Sequence, residues 1–290
     1  MTQDYIIENV SDTALWVAQC RAQESLKPNA VFRDQLAAKL AGSRGRQIAT
    51  SVPYSEMTEW ILVIRTVAID RLIQSALTDG VDLVLNLGAG LDTRPYRMDL
   101  PKDLHWLEVD FPNIINLKNH ELKFEKPKCH LERVSLDLSQ LELRKNFLSS
   151  LKQKYKKILV LTEGVLPYLK NEEVSQLAKD LFEVNSIDSW IHDYRNGGYV
   201  RTTPASFRKH LKSSPFVFDV DDWFNFFEKY GWSPFEIIKT NEEAERIRRP
   251  IPVPFPWNII SRFIPTKISA RIMSRSGYVL MKRSSATQSK

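Results

Sequence analysis

The chain holds 290 residues, 43% of them hydrophobic and 26% charged. That is enough apolar material for one sizeable core and too much for a disordered segment or a fibre. The net charge is +6, but residues 241–290 hold ten Lys/Arg against three Asp/Glu. No nucleic-acid motif accompanies that basic tail, so it reads as a solvated surface.

No run reaches the roughly 18 apolar residues that a membrane span needs; the nearest, residues 60–73, is broken by Arg65 and Asp70. The first ten residues, MTQDYIIENV, lack the basic-then-apolar order of a signal peptide. Two cysteines, Cys20 and Cys129, supply neither a disulfide framework nor a metal quartet. A cytoplasmic protein without a metal is expected.

Residues 1–80 read as a helical cap. Ser11 or Asp12 caps a first helix carrying Leu15, Trp16 and Ala18. A second is expected over residues 30–40, with Val31, Leu36 and Leu40 at helical spacing. A third, over residues 57–77, places Ile61, Ile64, Ala68, Leu72 and Ala76 on one face and stops near Gly80. After Gly80 the period changes. VDLVLNLG, LHWLEVD, HLERVSLD, KKILVLTEG, DSWIHDY, SPFEIIKT and SGYVLMKR read as strands, with helical patterns over residues 112–122, 141–154 and 171–184 between them. This alternation predicts a seven-stranded, mainly parallel, doubly wound α/β domain over residues 81–290. The last two runs have no clear helix between them and pair antiparallel. Five prolines lie in residues 250–265, which marks an irregular excursion. Two insertions, near residues 197–222 and 241–275, are candidate lids: the first has Gly197-Gly198 as a hinge and an apolar patch at residues 216–218, the second Phe255 and Trp257. The run Trp223, Phe224, Phe226 and Phe227 reads as core on a helix before Gly231.

The segment richest in chemistry follows the first strand directly: Asn86-Leu87-Gly88-Ala89-Gly90-Leu91-Asp92-Thr93-Arg94. Gly88 and Gly90 permit unusual dihedrals and a close approach of ligand to backbone. The second strand ends about 20 residues on at Asp110, where a carboxylate can hold both hydroxyls of a ribose. Thr93 stands where a dinucleotide fingerprint needs its third glycine, which disfavours NAD and its pyrophosphate. An adenosine without phosphates, as in S-adenosylmethionine, remains compatible. Asp137-Leu138 after the third strand can meet an adenine amino group and cover its ring. Glu163 after the fourth strand falls near the middle of the crevice, with Arg65 and Arg94 as candidate partners.

In order, NLGAGLDTRPYR, WLEVDFP with Lys118 downstream, LDLS and TEGVLPYL resemble the leucine carboxyl methyltransferase family. That family includes protein phosphatase methyltransferases and bacterial polyketide O-methyltransferases of the tetracenomycin type. RAQESLKPNAVFRDQLAAKLAG and IRTVAID look like its bacterial branch. The resemblance runs from about residue 14 to 195. It implies a Rossmann-like, class I fold that uses S-adenosylmethionine and releases S-adenosylhomocysteine. By motif, Arg33 takes the basic position of FRDQLA, and Arg65 contacts the methionine carboxylate. Gly88 and Gly90 line the cofactor, and Asp110 binds its ribose. Asp137 and Leu138 lie on the adenine side, Glu163 near the methionine amino group, and Tyr168 lines the reaction chamber. The fifth strand's tip and the proline-rich segment depart from the pattern, so the acceptor does not carry over.

Methyl transfer from a sulfonium is an in-line displacement that chiefly needs orientation. A carboxylate acceptor needs no base; Arg94 and Arg195 are the arginines considered to align it. A hydroxyl acceptor needs one, and His192 at the end of the fifth strand is the candidate. The leading expectation is an O-methyltransferase acting on a carboxylate or hydroxyl of a small, apolar or aromatic molecule. A protein C-terminal carboxylate, which would need an open mouth, is the close alternative. A non-catalytic adenosyl-ligand-binding protein and a dinucleotide oxidoreductase are the others.

Overall fold

Two runs made almost wholly of branched aliphatic residues, LVLNL and ILVLT, become the central strands β1 (Leu83–Leu87) and β4 (Ile158–Thr162), buried along their whole length. Strands buried on both faces read as continuous apolar runs because helices cover each side. All seven expected strands form. With β2 (His105–Asp110), β3 (His130–Ser135), β5 (Ile187–Arg195), β6 (Trp232–Lys239) and β7 (Ser276–Arg283), they make one sheet in the order β3-β2-β1-β4-β5-β7-β6. The first five are parallel; β7 lies antiparallel to both β5 and β6. This is a computed structural model, and it describes residues 10–51, 55–197, 215–252 and 275–284.

The described helices are α1 (Val10–Leu26), α2 (Ala37–Ser51), α3 (Ser55–Thr78), α4 (Arg94–Arg97), α5 (Pro112–Glu121), α6 (Leu141–Ser150), α7 (Asn171–Phe182), α8 (Trp223–Glu228) and α9 (Thr240–Arg246). Three local expectations are corrected. Helix α1 is already under way at Asp12, whose carboxylate pairs with Arg44 at 2.9 Å instead of capping. Residues 30–36 are not helical. The second helix starts at Ala37, where Asp34 Oδ1 accepts the Ala37 N–H at 3.1 Å, and it kinks at Gly42. In α3, Ile61 faces solvent while Ile64, Ala68, Leu72 and Ala76 are buried.

Helix α3 packs Ile64, Ile69 and Leu72 against Val84, Trp106, Leu161 and Ile191 on one face of the sheet. Helices α7 and α8 pack Leu177, Leu181, Trp223 and Phe227 against Leu85, Val160, Trp190 and Met281 on the other. Helix α3 therefore belongs to the sandwich, and a boundary at residue 80 would cut through its packing; the cap proper is α1 and α2. The chain beyond α9 is tied back to α3 and to the cap, for Trp60 Nε1 of α3 donates to the Arg249 carbonyl at 2.9 Å and Arg249 reaches Glu24 of α1 at 2.6 Å.

Of the expected lids, residues 198–214 and 253–274, with Gly198, Phe255 and Trp257, lie outside the described residues. The patch at residues 216–218 is corrected in part: Phe218 is wholly buried in the core. Trp223 and Phe227 are core, as read from the sequence. Among the described residues no helix is long and apolar enough to cross a membrane.

Candidate functional site

The Gly88 loop and the tip of β2 are built as one piece. The Gly88 and Ala89 N–H groups donate to the Val109 carbonyl at 2.8 and 3.1 Å. Gly90 N–H donates to Asp110 Oδ2 at 2.6 Å, and Phe111 N–H to Asp110 Oδ1 at 2.7 Å. Gly88 has φ +70° and Gly90 φ +48°, the left-handed region in which a Cβ is costly. A Cβ on Gly88 would also overlap Val165 Cγ2, so the glycine is required by the approach of the loop after β4. Burial raises the pKa of Asp110, against the two backbone donors and Lys118, which favour its charge. Each Asp110 oxygen has accepted one N–H and keeps a lone pair, which suits a ligand presenting two hydroxyls.

Behind the loop lies a charge cluster. Arg94 sits among three carboxylates: Nε lies 2.7 Å from Asp70 Oδ1, and one terminal nitrogen lies 2.9 Å from Asp92 Oδ2 and 2.8 Å from Glu163 Oε2. Asp70 also takes Arg97 at 2.6 Å, and Arg65 Nε lies 2.8 Å from Glu163 Oε1. Asp70, Asp92 and Glu163 thus each meet a guanidinium group, the pairing that buried charges require. Burial would push Glu163 up, but Arg94 and then Arg65 outweigh it and hold its pKa below the usual carboxylate value. Asp92 accepts the Arg94 N–H at 3.0 Å at the start of α4. A carboxylate therefore occupies the helix N-terminus that a pyrophosphate would need.

The other sequence-derived residues divide. Asp137 sits in the turn after β3, where Oδ1 accepts the Ser139 N–H and hydroxyl at 2.9 and 2.7 Å, which lowers its pKa. Leu138 packs on the core beside it. Tyr168 closes the β4 side: its hydroxyl bonds Thr13 of α1, and its ring meets Phe216 at 5.3 Å. Arg33 is exposed, and its guanidinium donates to the Ser25 carbonyl. Arg94 is 3% exposed along its side chain and bound to carboxylates, so it is not disposed to receive an acceptor.

His192 is not at the mouth of the crevice. Side chains alternate along β5, and His192 falls on the face of Trp190. It is wholly buried against Trp190, Trp223, Phe227 and Met281. Burial pushes its pKa down to about 3. Its neighbour Asp193 takes the opposite face and accepts the Gly164 N–H at 2.7 Å, which shapes the loop after β4.

Sequence reasoning missed Asp193, and it missed the pair under the glycine loop. Asp34 Oδ2 takes Arg21 Nε at 2.8 Å and the Thr93 hydroxyl at 2.6 Å, while Arg21 reaches the Leu91 carbonyl at 2.6 Å. In FRDQLA the buried, structural residue is therefore Asp34, beside the exposed Arg33. Its spacing before Ala37, that of a helix N-cap, was the available signal. Lys118, wholly buried, lies 2.8 Å from Glu108 Oε2.

The family model described as leucine carboxyl methyltransferase matches residues 14–182. A candidate S-adenosyl-L-methionine-dependent methyltransferase of Streptomyces coelicolor is 32% identical over 189 residues, 61% of this chain and 66% of that one. The match therefore spans just under two thirds of that relative's length. One of Parafrankia sp. (strain EAN1pec) is 29% identical over 265 residues, 85% of this chain and 84% of its own. Two crystal structures share the fold at 11% identity. A DUF574 family protein of Streptomyces avermitilis has a TM-score of 0.56, over 93% of this chain and 97% of its own. A candidate methyltransferase of Thermobifida fusca YX has a TM-score of 0.57, over 97% of each chain.

Proposed function

The chain belongs to the leucine carboxyl methyltransferase family, and from that premise we propose that it transfers a methyl group from S-adenosylmethionine to a carboxylate oxygen of a small molecule. The observation that carries the reading is Asp110, fixed at the tip of β2 by the Gly90 and Phe111 N–H groups with lone pairs left for a diol. When bound, the cofactor supplies a methyl group on a positively charged sulfur, already activated for displacement.

The chain's own residues then bind and orient. Asp110 accepts the ribose hydroxyls. Glu163 and Arg65, side by side at the tip of β4, match an ammonium and a carboxylate. Asp137 and Leu138 border the adenine. Asp92 already accepts the N–H at the start of α4, where a pyrophosphate would bind, which supports an adenosyl ligand over a dinucleotide.

Two observations support a small carboxylate acceptor. A hydroxyl acceptor calls for a base. Among the described residues, His192 is locked in an aromatic cage, His105 and His130 lie at the amino ends of β2 and β3, and His120 is exposed late on α5. A carboxylate is ionised at neutral pH and needs none. The β4 tip is also roofed: Tyr168 packs under Phe216, which joins Trp16, Cys20, Ile48 and Leu62 of the helical layer. A covered tip suits a small molecule better than a protein tail.

The test uses the purified chain, S-adenosylmethionine tritiated in its methyl group, and a small-molecule extract. Mild alkali frees methanol from methyl esters and leaves methyl ethers intact. Volatile tritium after alkali is the expected result. Alkali-stable label would move the acceptor to a hydroxyl, and label confined to polypeptide would favour the protein-tail reading.

A further inference from the structure

We infer that Lys118, buried on α5, is a positioning residue for the ribose site: it is the counter-charge that keeps Asp110 an acceptor on both oxygens. The inference rests on the adenosyl reading above and deepens it.

Lys118 holds a position that the helix pattern reserves for an apolar side chain. Ile114, Ile115 and Lys118 form the buried face of α5, and Lys118 is wholly buried. A lysine goes that deep only with a partner. Glu108 Oε2 lies 2.8 Å from its Nζ, but the same oxygen lies 2.8 Å from Arg133 Nε. Arg133 is fixed there, since its terminal nitrogens donate to Asn119 Oδ1 at 3.0 Å and to the Tyr96 hydroxyl at 2.6 Å. One wholly buried carboxylate, Glu108, therefore faces two cations, and one positive charge is left over.

Two further carboxylates feel the charge of Lys118: Asp92 in the glycine loop, and Asp110 two residues along β2 from Glu108 and on the same face. Asp92 already has Arg94 at 2.9 Å. Asp110 is buried and pairs directly with no cation among the described residues, and Lys118 is the cation whose charge acts on it. The surplus therefore answers Asp110. The charged groups about the two are Asp92 of the loop, Glu108 of β2 and Arg133 of β3. Once a diol binds, four donors converge on Asp110: the Gly90 and Phe111 N–H groups and two hydroxyls. Protonation would turn one acceptor site into a donor and lose a bond. Burial pushes Asp110 toward that form, and Lys118 opposes it. Lys118 itself touches no ligand in this scheme.

The test is calorimetry with S-adenosylhomocysteine from pH 8 to pH 6, on the wild-type chain and on Lys118→Met, which keeps the length of the side chain and removes its charge. Binding uses the ionised carboxylate, so affinity is complete above the pKa of Asp110 and is lost as pH falls through it. Wild-type affinity should stay within about twofold over this range. The variant should lose about fivefold or more between pH 8 and pH 6, since each unit below a pKa costs about tenfold. Lys118→Gln, also neutral, serves if Lys118→Met does not fold. In an Asp110→Asn background, Lys118→Met should add no pH dependence. A loss equal at every pH would mean that Lys118 only supports packing, and unchanged affinity would mean that it is idle. A pH dependence that survives Asp110→Asn would belong to another group. Each of these overturns the proposal. Wild-type chain that does not bind S-adenosylhomocysteine at any pH would instead remove the parent reading, and this one with it.

Discussion

Gly90 and Asp110 are 20 residues apart in the chain and joined by a 2.6 Å bond from the Gly90 N–H to Asp110 Oδ2. The bond locks the glycine loop to the tip of β2, so the carboxylate is placed before any ligand arrives. Asp110→Ala should therefore weaken S-adenosylhomocysteine by more than about tenfold, or roughly 1.5–3 kcal/mol, through lost hydrogen bonds to the ribose. Calorimetry on the variant checks this; unchanged affinity would put the ribose elsewhere.

Gly88→Ala should destabilise the fold. Its φ of +70° strains any Cβ, and that Cβ would overlap Val165 Cγ2. The expected cost is about 1–3 kcal/mol, read as a lower melting temperature. The double variant Gly88→Ala with Val165→Ala should recover part of the loss, because the two sites touch. An additive double variant would show that the overlap is not the cause.

Acid should loosen the cluster. Asp92 and Glu163 have pKa values held below their ordinary ones: burial pushes each up, but arginine charge, Arg94 first in both cases, outweighs it. In a group whose folded pKa is depressed, the unfolded chain binds the proton first. The stabilisation is then complete above the unfolded values, about 3.9 for Asp and 4.3 for Glu, and is lost as pH falls through the folded ones. Melting temperature should hold from pH 7 to about 5 and drop steeply below about 4. Asp92→Asn should melt lower at pH 7 and show a shallower acid slope; an unaltered slope would take Asp92 out of the account.

His192 should prove structural. With its pKa near 3 and no exposed surface, it is neutral at every working pH. His192→Gln should lower the melting temperature. Its methyl-transfer rate should stay within a few-fold of wild type, where loss of a general base would cost about 10²–10⁴. A rate loss of that size, or a changed pH profile between 6 and 8, would return His192 to the chemistry.

The fold and the carboxylate frame were legible in the sequence because each rests on local pattern. Unbroken apolar runs announce β1 and β4, and Gly88 with Gly90 directly after β1 announces the turn. What stayed hidden depends on facing and on distance. Whether His192 or its neighbour Asp193 looks toward Arg65 is decided by the one-residue alternation of β5, and its absolute phase becomes visible only once Trp190 and Tyr194 are seen in the core. The Arg21–Asp34–Thr93 link joins residues 13 and 59 positions apart, with no spacing that the chain advertises. Arg94 stood out by motif, yet its three carboxylate partners come from α3, the glycine loop and the tip of β4. Only the packed structure shows that it is saturated.

The most direct measurement is a calorimetric titration of the purified chain with S-adenosylhomocysteine and, separately, NAD. The account predicts micromolar binding of one S-adenosylhomocysteine per chain, with none for NAD. Binding of NAD, or of neither ligand, would contradict a crevice built around Asp110, Glu163 and Arg65 for an adenosyl amino acid.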